Sequence, residues 1–373
     1  MTRPSLRIAV IAPLRYPIAE PHAGGLESSI WHLVRGLRLR GHRVTLCAVA
    51  GSDYLSGGPS EFVLPPVFWP DAADSSDVDY PPGYLDRAFP ALDAALGFIA
   101  EHAGEFDIVE NHCLHGLPLS WAGRLGVPMV TTLHTPVLTD LLVARERNVG
   151  AGSAFLSVSE YTASEWRRQG VDSVLLPNAV DTAAWPLGAG GSGLVWFGRI
   201  VPEKGAHLAI AAARLAGLPL TLAGRVGDAT YAAREILPRL GGDIRYVGAL
   251  RQPELAELVG ASACALVTPV WEEPFGLVIA EAMACGTPVV SFDTGGIPEV
   301  VGTSPGARLV PTGDVAAMAR AATAIVEANS AVLRQQVRDD AERRFSLGAR
   351  LTELEGIYGT LIARFGAGER VTP

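Results

Sequence analysis

The chain has 373 residues, enough for two domains with separate cores, and its 30 basic against 39 acidic residues include no Lys/Arg run dense enough to track a phosphate backbone. Nucleic acid is therefore set aside as a partner. Cys47, Cys113, Cys264 and Cys285 stand far apart in apolar surroundings, the pattern of reduced core cysteines in a cytoplasmic protein, and no stretch stays apolar long enough to span a bilayer.

In chain order, "LRIAVIAPL" is a short β-branched run. "LESSIWHLVRGLRLRG" follows with Leu26, Ile30, Leu33, Val34 and Leu37 at helical spacing and Gly41 as a stop. "HRVTLCAV" is the next predicted strand, and "FDIVENH", "PLSWAGRLG", "VPMVTTLH", "FLSVS", "EYTASEWRRQG" and "SVLLPN" continue the strand and helix alternation. A linker rich in Gly, Pro and Ser covers residues 178–193. Beyond it a second series runs from "LVWFGRI" through "GAHLAIAAARLAG", "PLTLAG", "ATYAAREILPRLGG", "IRYVG", "RQPELAELVGAS", "CALVTPV" and "FGLVIAEAMACG" to "PVVSFD" and "AAMARAATAIVEAN". The expected fold is α/β, with two Rossmann-like doubly wound parallel-sheet domains facing across a cleft. The expected domains are 1–180 and 181–354, with a C-terminal amphipathic helix, 355–373, joining the first.

Chemistry concentrates where strands give way to helices. In "EEPFGLVIAEAMACGTPVV" the peptide N–H groups from Phe275 through Gly276 and Leu277 to Val278 open a helix, an end that attracts anions. Glu281 lies about one turn in and, if buried, needs donors such as a ribose diol. Glu273 on the preceding loop can bond hexose hydroxyls. Both glutamates can also be read as ordinary helix-favouring or solvated charges. "FGRIVPEKG" puts Arg199 past a strand and Lys204 at the next helix start, where a cation is disfavoured unless an anion such as a diphosphate is present. In "PHAGGLESS" Gly24 and Gly25 meet a helix start and allow close approach of backbone N–H groups to a ligand; a simple turn explains them equally. No His and Asp cluster in these segments has metal-ligand spacing.

Together "FGRIVPEKG", "AGRVGD", "RYVGAL", "EEPFGLVIAEAMACGTPVV" and "TGGIPEVV" resemble the nucleotide-sugar-binding half of glycosyltransferase family 4, the retaining GT-B enzymes, whose two glutamates separated by seven residues match Glu273 and Glu281. "GGLE" and "TTLHT" extend the resemblance to the first half. It implies a hexosyltransferase whose co-substrate is a nucleotide sugar, UDP favoured over GDP or ADP, with no metal or other cofactor. Arg199, Lys204, Glu273 and His134 would carry transfer. Gly24, Gly25, Phe275, Gly276, Leu277, Val278 and Glu281 would hold the donor, and Val247, Gly248 and Leu250 would flank its base. Glu299 would shape the domain rather than perform chemistry. A nucleotide-sugar epimerase or hydrolase and a non-catalytic nucleotide-sugar binder are the rival readings.

The acceptor is expected to be a small natural-product or aminocyclitol hydroxyl, with a lipid-linked acceptor as the other choice. Residues 53–86 carry Asp53, Glu61, Asp71, Asp74, Asp77, Asp79 and Asp86 without a Lys, Arg or His, well placed to favour a neutral or cationic acceptor. The helix with Trp31, Arg35, Arg38, Arg40 and Arg43 is the one hint of a peripheral membrane contact.

Overall fold

The computed structural model describes residues 4–70, 75–77, 79–147 and 153–367. Asp71 and Asp74 lie outside them. The first half of the chain supplies β1 (Arg7–Ile11), β2 (Arg43–Val49), β3 (Val63–Leu64), β4 (Ile108–Asn111), β5 (Met129–Leu133), β6 (Ser153–Ser157) and β7 (Val174–Leu175). The second supplies β8 (Leu194–Phe197), β9 (Leu220–Ala223), β10 (Ile244–Tyr246), β11 (Cys264–Val267), β12 (Val289–Asp293) and β13 (Ala307–Pro311). Among the described residues they form a seven-stranded sheet in the order β3-β2-β1-β4-β5-β6-β7 and a six-stranded sheet in the order β10-β9-β8-β11-β12-β13. The paired strands run parallel.

Strands covered by helices on both faces must be apolar throughout, and β8, "LVWF", is buried at every position. One core on the first sheet gathers Ile11, Leu92, Leu96, Val109 and Leu133, and the other gathers Ile8, Val10, Leu33, Leu37 and Val130. Two further cores flank the second sheet.

The order of each sheet reverses once, between β1 and β4 and between β8 and β11. Loops that leave these strand pairs diverge to opposite faces and open a crevice at their carboxyl ends, the place where α/β sheets bind ligands. Both crevices therefore have addresses: residues 12–24 and 112–116 in the first half, 198–205 and 268–276 in the second.

Two elements depart from their sequence-based expectation. "ATYAAREILPRLGG" forms not one helix but a single α-turn, Ala229–Tyr231, a π-turn, Ala232–Ile236, and a 3-10 turn, Leu237–Arg239. Pro238 has no N–H to continue the ladder and its ring crowds the preceding turn. The acidic stretch is more than a surface loop. β3 pairs with β2, Phe62 and Tyr84 are buried in the first core, and the Tyr84 hydroxyl donates to the carbonyls of Leu14 and Pro65.

The last helix, Leu347–Gly366, begins ahead of residue 355 and returns to the first sheet. Leu351, Leu354, Tyr358 and Leu361 enter the core of Ile8 and Val10. The Arg40 Nε donates to Glu355 Oε1 at 2.6 Å and the His42 Nε2 lies 3.0 Å from the same oxygen. No helix among the described residues is long and apolar enough to cross a membrane. Leu354→Ala is expected to destabilise the full chain by about 3 kcal/mol, since it removes a fully buried side chain from this seam; a lowered midpoint of urea unfolding checks it.

Candidate active site

The loops that leave β8 and β11 touch because one of them ends in glycine. Gly205 has φ +66°, and a Cβ on it would lie 2.0 Å from the Thr268 carbonyl oxygen. Lys204, just before it, closes a 3-10 turn, Pro202–Lys204, and points at the other loop. Its Nζ sits 2.5 Å from Glu273 Oε2, and the Trp271 indole N–H donates to the same oxygen at 2.8 Å. The Glu273 backbone is clamped from the far side by Gly295, where a Cβ would come within 2.3 Å of the Glu273 carbonyl oxygen. The Gly296 N–H then donates to that carbonyl at 2.8 Å.

The helix Leu277–Ala284 starts immediately after this loop at Gly276, and Gly286 follows its end. Phe275 is buried beneath it. Glu281 is buried too, so the solvated reading of this residue does not hold, and burial pushes its carboxyl up to about 8. Among the described residues no hydrogen bond reaches its side chain. A buried carboxyl in this state needs hydroxyl or N–H donors to ionise, which is what a bound diol offers.

The first half meets this region through the loop after β1. A Cβ on Gly25 would lie 3.5 Å from the Leu277 side chain, and one on Gly24 would lie 3.6 Å from Arg199 Cδ. The Arg225 Nε donates to the Ala23 carbonyl at 3.0 Å. Arg199 and Arg225 share one partner: Asp77 accepts from Arg199 Nη1 at 2.6 Å and from Arg225 Nη2 at 2.5 Å, and the Tyr16 hydroxyl donates to it as well. Burial alone would raise the Asp77 carboxyl, but the hydrogen bonds from Arg225 and Tyr16 outweigh it and hold it below the ordinary range. Glu27, buried in the first turn of the helix Gly25–Leu39, stands beside the same arginines, its own carboxyl raised by burial.

The fold thus gathers Gly24, Gly25, Arg199 and Leu277 at one seam, and Lys204 with Glu273 beside it. His134 is placed differently. It follows β5 and its Nε2 lies 2.7 Å from His112 Nδ1, with Glu110 behind His112. Val247, Gly248 and Leu250 follow the edge strand β10; Val247 is exposed, and the Gly248 carbonyl accepts from the N–H of Gly224, the residue before Arg225. Glu299 joins the halves, accepting the N–H groups of Glu160 and Tyr161 at 2.7 Å each. The Ser159 hydroxyl donates to the Pro274 carbonyl at 2.6 Å next to it.

Arg225, Tyr16, Glu27, Trp271, His112 and the pairing of Asp77 escape a reading of the sequence. Arg225 had a signal, for in "AGRVGD" it follows β9 as Arg199 follows β8. Asp77 had none, because its partners lie 122 and 148 residues away. Among the described residues no group of three or more His, Cys, Asp or Glu is arranged to hold a metal ion.

Residues 23–184 match the family described as Glycosyltransferase Family 4, and residues 191–328 match Glycosyl transferases group 1. The chain belongs to glycosyltransferase family 4. This glycosyltransferase is 28% identical over 354 residues to the phosphatidyl-myo-inositol mannosyltransferase of Mycolicibacterium smegmatis, spanning 86% of the chain and 85% of that protein. Its two-domain GT-B fold is shared with the sucrose-phosphate synthase of Thermosynechococcus elongatus, with a TM-score of 0.73 and 21% identity over 96% of this chain and 99% of that one. It is also shared with HepE of Anabaena, solved in complex with UDP and glucose, with a TM-score of 0.70 and 18% identity over 95% and 100% of the two chains.

The raised Glu281 carboxyl sets a pH dependence for the ligand-free glycosyltransferase. Below its ordinary value of 4.5 both folded and unfolded chains hold the proton, and between there and about 8 the folded chain holds it more tightly. This contribution to stability is therefore lost as pH rises through that window. Glu281→Gln is expected to remove the loss, checked by urea unfolding of both proteins at about pH 5 and about pH 8.

Proposed function

We propose that this glycosyltransferase moves a hexose from a nucleoside diphosphate sugar, UDP first among the bases, to a hydroxyl of a small acceptor, with retention at the anomeric carbon and without a metal. The observation that carries the reading is the set of Arg199, Lys204 and Glu273 at the reversal point of the second sheet, beside the open N-terminus of the helix Leu277–Ala284. A diphosphate there would find two cations and the free N–H groups of Leu277 and Val278. Arg225, bonded to the same carboxylate as Arg199, adds a third positive charge to the region.

In the transfer the bond between the anomeric carbon and the phosphate oxygen breaks, and the acceptor oxygen bonds to that carbon from the same face. The departing phosphate oxygen takes the acceptor proton. Arg199 and Lys204 stabilise the charge that develops on the diphosphate, the contribution expected to be largest, while Glu273 positions the hexose hydroxyls and Glu281 takes the ribose. No separate nucleophile is required.

For the acceptor, the relatives that act on phosphatidyl-myo-inositol favour a cyclitol-type polyol. A soluble form of it is preferred to a lipid-linked one because three of the four arginines in that basic segment are engaged within the fold, while the exposed Arg43 lies in β2. Arg35 pairs with Asp181, Arg38 donates to the carbonyls of Val44 and Tyr54, and Arg40 pairs with Glu355. Of the acids in the 53–86 stretch, Asp53 accepts from the Trp31 indole and Asp77 from the two arginines. The proposed choice of a neutral or cationic acceptor therefore rests on the others.

A thermal-shift and calorimetric screen of UDP, GDP and ADP with their sugars is expected to single out one donor, since a ligand at 100 times its Kd stabilises the native state by about 2.7 kcal/mol. Binding by none of them removes the donor site. Lys204→Ala and Glu273→Ala are each expected to lower transfer by roughly a hundred-fold or more while leaving the far-ultraviolet circular dichroism unchanged. An epimerase or hydrolase would turn the donor over at full rate without any acceptor. Asp77→Asn frees both arginines from an internal anion, so it is expected to tighten donor binding several-fold in the same calorimeter; weaker binding would make Asp77 part of the donor site instead.

A further inference from the structure

A fully buried glutamate in a central strand calls for a reason. Glu110 belongs to β4, at the reversal point of the first sheet, and has no exposed surface. Its register partner on β5 is Val130, which faces the core of the last helix. Side chains alternate along a strand, so His112, two residues on from Glu110, and Thr132 and His134, two and four on from Val130, line the same face. Tyr358 of the last helix donates its hydroxyl to Glu110 Oε2. Glu110 Oε1 lies 3.2 Å from His112 Nε2, close but without an aligned hydrogen bond between them. His112 Nδ1 lies 2.7 Å from His134 Nε2. The chain of contacts runs from a buried tyrosine to the imidazole at the end of β5.

We infer that Glu110 and His112 are positioning residues that hold the His134 imidazole in a single tautomer, with Nε2 protonated and Nδ1 left as an acceptor for a substrate hydroxyl. Two neutral imidazoles at that separation need one donor and one acceptor. The carboxylate beside His112 Nε2 favours a proton there, which leaves His112 Nδ1 with a lone pair. The shared proton then belongs to His134 Nε2, and the other ring nitrogen of His134 carries none. Charging the ring instead is opposed first by burial and then by His112 and Arg350, which together push His134 well below its ordinary value. Arg350, buried on the last helix, donates its Nε to the Pro177 carbonyl and attracts Glu110 from the same side. A neutral ring also adds no positive charge beside an anomeric carbon that gains it. The inference rests on His134 facing the reacting sugar, as proposed above, but the tautomer itself does not depend on that.

Long-range 1H–15N correlation spectra of the full chain with 15N-labelled histidine test it, with His134 assigned by its loss in His134→Asn. The expected wild-type pattern at neutral pH is a pyrrole-type Nε2 and a pyridine-type Nδ1 for His134. Glu110→Gln is expected to mix or reverse the two, and to lower kcat about ten-fold, the worth of one hydrogen bond in the transition state, with donor KM little changed. Glu110→Asp is expected to restore part of both. A wild-type His134 protonated at Nδ1, or a spectrum that Glu110→Gln leaves unchanged, would overturn the inference. The wild-type spectrum needs only His134→Asn for its assignment, so it decides the tautomer even if Glu110→Gln fails to fold. The donor screen and Glu273→Ala test the transfer reading separately, and their failure would leave the tautomer result standing.

Discussion

Backbone pressed against backbone is the constraint from which the candidate site follows. The loops after β8, β11 and β12 can lie on one another only because Gly205 and Gly295 have no side chain to hold them apart. A Cβ at either place would sit well inside the van der Waals contact distance to a carbonyl oxygen, and no side-chain motion relieves a clash with main chain. That contact brings Lys204 to Glu273 and aims the first turn of the helix Leu277–Ala284 at the seam between the halves. The glycines of "EKG" and "TGG" are thus structural, and the charges beside them inherit their positions.

Electrostatic balance in the ligand-free protein depends on the same closeness. Arg199 and Arg225 face Asp77, and Lys204 faces Glu273, so each of these three cations has a carboxylate within hydrogen-bond reach. Half-buried cations without partners would carry a desolvation cost that nothing in the protein offsets. Asp77 reaches them from the first half of the chain, which makes the ion pairs a link between the two sheets as well as a charge balance. Glu281 is the opposite case, a buried carboxyl without a hydrogen-bonding partner among the described residues, and its raised proton affinity is the physical consequence.

The last helix ties these features to the first sheet. It closes one core with Leu351, Leu354 and Leu361 and also carries Tyr358 and Arg350 to the buried Glu110. Burying a carboxyl in a core is costly unless it is bonded, and Glu110 Oε2 finds its donor only in a residue far along the chain. Glu299 plays a simpler part. It sits at the N-terminus of the helix Glu160–Arg167 and fastens the second half to the first, where its motif suggested a part in shaping its own domain.

Local pattern was enough to read the two parallel sheets and the placing of Arg199, Lys204, Glu273 and the helix start at strand ends, because strand burial and helix periodicity are written in neighbouring residues. The family was legible for the same reason, since "FGRIVPEKG" and "EEPFGLVIAEAMACGTPVV" are contiguous. The broken helix after β9 was less so, because a helical hydrophobic period continues across Pro238 while the backbone ladder does not. Composition said that residues 53–86 are acidic and aromatic, but not that Asp77 ends on two arginines of the other half. Nor could it say that Glu110, His112, His134 and Tyr358 meet. Those contacts join residues separated by up to 248 positions, and only the packing of one element on another decides which buried charge finds which partner.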